Sequence, residues 1–303
     1  MKTYAKPALS VAQQVAQLQR RGMAIADPQA AAHFLAHINY YRLRAYWLPC
    51  EVPAAGDGDH AFRTGTQFEA ILDLYGFDRK LRLLVMDAIE RIEVSLRTRW
   101  AYVLGMRHGS HAYMEPARFR NATQHAKCMA KLRDELARSN ETFVGHYFQT
   151  YDMPELPPVW AVCEVLTFGQ LSIWFQNLAD GGDRAEIARM YALDEQVIKS
   201  FAHHLAYVRN VCAHHSRLWN RELTIGMKLP NNPATLAPLF NRQQPKRLYN
   251  TLVLLAYMLD IISPASRWRE QLLALLGKHP KVELAAMGFP GDWRQSPIWE
   301  RQR

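Results

Sequence analysis

One run constrains this chain more than any other: the stretch from Gln67 to Leu104. Within it Phe68, Ile71, Tyr75, Leu81, Leu84, Ala88, Ile92, Leu96, Trp100 and Val103 recur mostly at steps of three or four. That spacing lays a continuous apolar stripe along one face of a helix. The other face carries Asp78, Arg79, Arg82, Asp87, Glu90, Arg91, Glu93, Arg97 and Arg99. A stripe this long must be covered along its length, so the helix is expected to be the spine of a bundle. Gly76 is expected to weaken or break it near its start.

The rest of the chain reads as helical too. Val11 to Arg20 is amphipathic, and Asp27-Pro-Gln-Ala opens a second helix with Asp as cap and Pro in the first turn. Ala30 to Ile38 leads into Asn39-Tyr-Tyr-Arg-Leu-Arg-Ala-Tyr-Trp47, and Pro53 to Thr66 is a polar loop. Gly105 to Asn121 reads as loop and Gln124 to Arg138 as helix. Val159 to Asn177 is an apolar helix with a disturbance expected at Gly169, and Asp180-Gly-Gly-Asp is a turn. Glu186 to Tyr191, Asp194 to Arg221, Leu248 to Ile262 and Trp268 to Leu276 complete the helices, and the tail from Pro280 is expected to be loose. There is no internal repeat and no alternating strand pattern of useful length. The expectation is an all-α helical bundle with additional N- and C-terminal helices. Pro230-Asn-Asn-Pro233 divides a main helical domain, 1–229, from a C-terminal helical extension, 230–303, packed on the same core.

Composition narrows the function classes. Hydrophobic residues make up 49% and charged residues 21% of 303, as in a soluble protein with a real core. No apolar run approaches the ~20 residues of a membrane span, and the N-terminus lacks the apolar segment of a signal peptide, so a cytoplasmic location with no membrane partner is expected. Cys50, Cys128, Cys163 and Cys212 form no Cys-x2-Cys pair and suit core packing better than zinc or disulfides. The formal net charge of +9 favours polyanionic partners. No Gly-rich phosphate loop, Gly-x-Ser-x-Gly elbow or His-Glu-x-x-His is present.

Chemistry concentrates in Tyr207-Val-Arg-Asn-Val-Cys-Ala-His-His-Ser-Arg-Leu-Trp-Asn-Arg221. Arg209 offers a permanent cation for a phosphate, and His214 an imidazole that moves protons near neutral pH. Five residues of helix turn through ~140° and rise ~7.5 Å, so the two do not converge within one continuous helix. They meet only if the helix ends between them, near Cys212, or if two subunits pair their copies. Asn210, one turn before His214, is placed to orient the imidazole. His215, Arg217 and Arg221 extend the basic segment, and Arg217 and Arg221 at i, i+4 suit successive phosphates. The spacing also occurs at Arg120/His125, after Pro116, where the basic neighbours Arg107, Arg118, Lys127 and Lys131 suit RNA backbone contact. His203-His204 points to two helix faces and has no matching carboxylate, so metal is not expected. Glu90 and Glu93 read as a salt-bridged face with Arg97 more readily than as an acid and base. Tyr40, Tyr41, Tyr46 and Trp47 read as core before base-stacking platform.

Four blocks together resemble a known family. They are Ile38-Asn-Tyr-Tyr-Arg-Leu-Arg-Ala-Tyr-Trp47; Tyr75-Gly-Phe-Asp-Arg-Lys-Leu-Arg82 with Ala88-Ile-Glu-Arg-Ile-Glu-Val-Ser-Leu-Arg97; Leu156-Pro-Pro-Val-Trp160 with Leu166-Thr-Phe-Gly-Gln-Leu171; and Arg209 to Arg221. In type and order they resemble the Abi-like abortive-infection proteins of bacteria, the AbiD/AbiF group, within the HEPN superfamily, over residues 15 to 225.

The resemblance implies an all-α fold with a HEPN core and an Arg-polar-x3-His motif, matched by Arg209, Asn210 and His214. It implies a homodimer with a composite cleft that cleaves RNA without metal or other cofactor. The ribose 2′-hydroxyl attacks the adjacent phosphate, leaving a 2′,3′-cyclic phosphate and a 5′-hydroxyl. His214 is general base or acid, and Arg209 stabilises the phosphorane. His215, Arg217, Arg221 and Arg97 are the expected RNA contacts, and DNA, lacking the attacking hydroxyl, resists. A small-RNA or protein neutraliser is the expected restraint until infection. The alternatives are a non-catalytic HEPN RNA-binding or sensor protein and a plain helical scaffold.

Overall fold

The computed structural model describes residues 7–52 and 60–300. Within the polar loop expected over 53–66, residues 53–59 lie outside the described residues, as do residues 1–6 of the N-terminal stretch. Among the described residues there are twelve α-helices and one small sheet: α1 Val11–Arg20, α2 Pro28–His37, α3 Tyr40–Trp47, β1 Glu51–Val52, β2 Ala61–Phe62, α4 Phe68–His108, α5 Ala122–Arg138, α6 Thr142–Thr150, α7 Val159–Val165, α8 Phe168–Asn177, α9 Gly181–Arg189, α10 Glu195–Ala213, α11 Leu248–Ile262 and α12 Trp268–Lys278. The chain is all-α. The short antiparallel ladder pairs Glu51 with Phe62 and Val52 with Ala61, too brief to leave an alternating pattern in the sequence.

The chain divides into two compact units. The first takes Met1–Leu81 with Ala274–Val282, and the second Arg82–Leu273 with Glu283–Arg303. In the first, Ser10 and Gln13 close a capping box on α1, and Asp27 caps α2 with Pro28 in its first turn. The aromatic segment of α3 splits by helical phase. Tyr46 and Trp47 are buried, whereas Tyr41 is 66% exposed. The Tyr46 hydroxyl donates to Asp78 Oδ2 at 2.6 Å, so the buried carboxylate of α4 gains a partner.

α4 covers 41 residues, about 60 Å at 1.5 Å per residue. It runs unbroken through Gly76 and continues to His108, past the expected end at Leu104. A helical glycine costs about 1 kcal/mol against alanine, which burial of the adjacent Phe77 and Leu81 offsets.

In the second unit α11 is buried almost all round, from Leu248 to Leu259, as expected of a helix apolar on every face. Its buried Asn250 is satisfied by donating to the Asn241 carbonyl and accepting from the Asn241 N–H. Trp268 opens α12 and donates its indole N–H to the Leu84 carbonyl at 2.7 Å. α8 and α10 pack against each other, with Trp174 of α8 edge-on to Phe119 and beside Trp100.

Several boundaries depart from expectation. The apolar run 159–177 is two helices, broken at Leu166-Thr167 and not at Gly169, because Thr167 and Gln170 form a capping box that starts α8 afresh. Asp180-Gly-Gly-Asp is the cap and first turn of α9, with the Asp180 carboxylate accepting from Gly182 N–H. α6 has no counterpart in the sequence reading. The tail is not loose: Trp293, Ile298 and Trp299 are buried, and Tyr249 of α11 meets the rings of Phe289 and Trp299. Those aromatic anchors are spaced through 3-10 turns, which carry no helical period.

Candidate functional site

The two Arg-x4-His matches have opposite environments. His125 is 3% exposed, stacked on Phe119 at 4.4 Å and bonded through Nε2 to the Tyr113 carbonyl at 2.9 Å. It is a core histidine, and Asn121 beside it is the cap of α5. Arg209, Asn210, His214 and His215 are all exposed. Among the described residues no side-chain hydrogen bond or ion pair engages Asn210 or His214.

α10 starts at the Asp194 cap, whose carboxylate accepts from Gln196 N–H, and buries Val197, Ile198, Phe201, Leu205 and Val208 along one side. It ends after Ala213. His215 N–H donates to the Cys212 carbonyl and Ser216 N–H to the Val211 carbonyl, at 3.0 and 2.9 Å. This is a Schellman turn, and His215 fills its left-handed position with φ 56°. The sequence reading of helix to Arg221 is thereby corrected.

The helix end lies between Arg209 and His214, yet it does not bring them together. His214 N–H still bonds the Asn210 carbonyl at 3.0 Å, so its Cβ leaves at the helical angle, ~140° from that of Arg209.

The two sides of α10 have different surroundings. Towards α4, the charge of Arg209 acts on Glu93. Burial raises the Glu93 carboxyl above its usual range, against the pull of the Arg97 and Arg209 guanidinium groups. Glu93 accepts from Arg97, which also donates to the Leu166 carbonyl at 2.7 Å. Arg97 is thus committed to holding α4, Glu93 and the α7–α8 junction together. The Glu93–Arg97 pair matches the salt-bridged reading, but its proximity to Arg209 is a product of the fold, since nothing in the local pattern of α4 refers to α10.

On the other side His203, Tyr207, Asn210 and His214 lie within ~60° of one another around the axis, a single exposed stripe. The first three line an open cleft of about 570 Å³ with Lys131 and Arg138 of α5 and Gln170 of α8. Sequence reasoning missed this cleft: His203 was weighed only as a metal ligand, Tyr207 only as the start of the motif segment, Lys131 as a basic neighbour of the other motif, and Arg138 not at all as a site residue. Burial alone raises the Tyr207 phenol, but hydrogen bonds with Thr224 and Arg221 outweigh it and bring it below its usual pKa.

Arg217 and Arg221 do not form a helical i, i+4 pair, because the helix has already ended. Arg221 donates through Nε to the Arg217 carbonyl at 2.6 Å and reaches Tyr207, and Arg217 lies over the Trp219 ring. Next to the stripe, His204 is buried. Its Nδ1–H donates to the Ile225 carbonyl at 2.5 Å, and its Nε2 accepts from the Thr251 hydroxyl at 2.8 Å. His203 and His204 therefore do not share a ligand.

One group of possible metal ligands stands elsewhere: His108, Asp180 and Asp183, with ligand atoms within 4.8 Å of one another. Arg107 reaches both carboxylates, at 2.6 Å to Asp183 and 3.3 Å to Asp180, so a guanidinium already offsets part of their charge. Three of the four cysteines are buried, and burial raises the Cys163 thiol to about 12.

The model of the Abi-like protein family matches residues 33–220, more than half of the chain. The chain belongs to this family. The match takes in α3, the whole of α4 and the Arg209–His214 segment, and it stops just short of Arg221. Membership in the Abi-like family suggests a part in abortive infection, that is, in defence against phage. Comparison with curated proteins and with solved structures finds no match. No helix among the described residues is long and apolar enough to cross a membrane.

Proposed function

We propose that this Abi-like chain is a phage-defence endoribonuclease of HEPN type, cleaving RNA without metal at a composite site built from two copies. The observation that carries the reading is the exposed Arg209-Asn210-x3-His214 segment at the end of α10. In this reading Arg209 and His214, ~140° apart around the helix, act with their counterparts in a second copy. In the paired site His214 takes the proton of the ribose 2′-hydroxyl or returns one to the leaving 5′-oxygen. Arg209 neutralises charge growing on the phosphorane. Asn210, one turn before His214, orients the imidazole. Glu93, half-buried beside Arg209, restricts where the guanidinium can reach. The net charge of +9 suits an RNA substrate and equally a small-RNA neutraliser.

The test is cleavage of RNA in EDTA by wild type, Arg209→Ala and His214→Ala, with product ends analysed. Loss of cyclic-phosphate product in both variants is expected, and continued cleavage by both would remove the site assignment. A non-catalytic RNA-binding or sensor role is the second reading, favoured by the same exposed cations; it predicts salt-dependent RNA binding with no product.

A further inference from the structure

We infer that the cleft along the His203–Tyr207–Asn210 stripe is a binding subsite for unpaired RNA bases, which delivers the strand to His214. The inference rests on the nuclease reading for its substrate and on separate observations for its place. The cleft, about 570 Å³, falls in the range of small-ligand pockets and has room for a nucleotide. It is continuous with the proposed site, since Asn210 lines it and His214 follows one turn later on the same face. From His203 to His214 the stripe rises ~16 Å, enough for more than one nucleotide.

The chemistry of the walls selects bases over bare phosphate. Tyr207 is half-buried, and its hydroxyl is tied to Thr224 and Arg221, so its ring is a fixed platform. Stacking on such a ring tolerates any base. Lys131 and Arg138 stand exposed on the α5 rim, where they can follow the backbone. The same rim carries Asp134 and Glu135, and Glu135 already accepts from Gln170 Nε2 at 3.2 Å and pairs with Arg138 at 3.5 Å. Two cations facing two carboxylates make a weak trap for a polyanion. A carboxylate does accept from the amino group of a base, and in RNA a side chain reaches that group only in an unpaired strand, because the major groove of the A-form duplex is too deep and narrow.

The experiment uses the full chain carrying His214→Ala, so that binding is read without turnover. A short, unstructured, fluorescein-labelled RNA is titrated by anisotropy against this protein. The titration is repeated with added Tyr207→Ala, Tyr207→Phe, or Lys131→Ala with Arg138→Ala. Tyr207→Ala and the double cation variant are expected to weaken binding about tenfold, while Tyr207→Phe, which keeps the ring, stays within about twofold of the parent. Duplex RNA of the same sequence should compete poorly. Equal affinity in all variants, or equal competition by duplex, overturns the inference. The double cation variant changes only exposed side chains, so it reports even if Tyr207→Ala fails to fold. A wild type that cleaves no RNA while binding still depends on Tyr207 would remove the nuclease reading and support the subsite. Cleavage-competent protein whose cleft variants bind and cleave normally would do the reverse.

Discussion

At the scale of single residues, neighbouring histidines show how much environment decides. His204 is kept neutral by burial, which pushes its pKa down from the ordinary 6.5 to about 4. The unfolded chain therefore takes up that proton first as pH falls. Its contribution is fully present above about pH 6.5, is lost progressively towards about pH 4 and is level below that. The loss amounts to about 3 kcal/mol at most. Urea unfolding followed down this range should show a slope that is smaller in His204→Gln; an identical slope would refute it. His215 is exposed but holds a left-handed backbone position, where a β-branched side chain is strained. His215→Val should lower stability by about 1–2 kcal/mol, measured by the same titration. Arg209→Ala and His214→Ala, both on exposed side chains, should leave the thermal midpoint almost unchanged while abolishing cleavage. That separation is what marks a functional residue from a structural one.

At the scale of elements, the ends of helices matter more than their middles. α4 was legible because its apolar stripe is a local pattern, and α11 because its continuous apolar run is too long for a strand. The break at Leu166-Thr167 was not, since Thr-Phe-Gly-Gln reads as a continuing apolar run until the Thr167–Gln170 capping box is recognised. Thr167→Ala should cost about 1 kcal/mol, seen as a lower denaturation midpoint with unchanged slope; no change would show that α8 does not depend on its cap. A helix end near Cys212 was one of two alternatives the spacing left open, but the helical reading ran past it to Arg221 for a similar reason. A Schellman turn is usually marked by glycine, and here histidine stands in the glycine position. That error carried Arg217 and Arg221 onto a helix they do not share. The Arg209–His214 segment was legible as a motif. The sequence preferred it to Arg120–His125 on its apolar flanks and matching blocks; that His125 is stacked in the core was visible only in the fold.

At the scale of the whole molecule, the proposal requires two chains. A composite site makes a specific demand on mixtures. Arg209→Ala and His214→Ala proteins, each inactive, should regain part of the cleavage when mixed and allowed to exchange, because a mixed pair supplies one Arg209 and one His214 to the shared cleft. Light scattering after gel filtration should give twice the chain mass of 34.9 kDa. A monomer, or a mixture as inactive as its parts, would count against the composite site.

The all-α class, the long α4 and the Arg209–His214 motif follow from the sequence by itself. Each depends on local periodicity or on residues close in the chain. The meeting of Glu93 with Arg209, the cleft between α5, α8 and α10, the burial of His125 and His204 and the packing of Trp293 and Trp299 were decided only by the tertiary structure. These join residues far apart in sequence, and burial is set by what other segments bring to a side chain. The 3.6-residue period fixes where a side chain leaves its own helix and says nothing of what waits there.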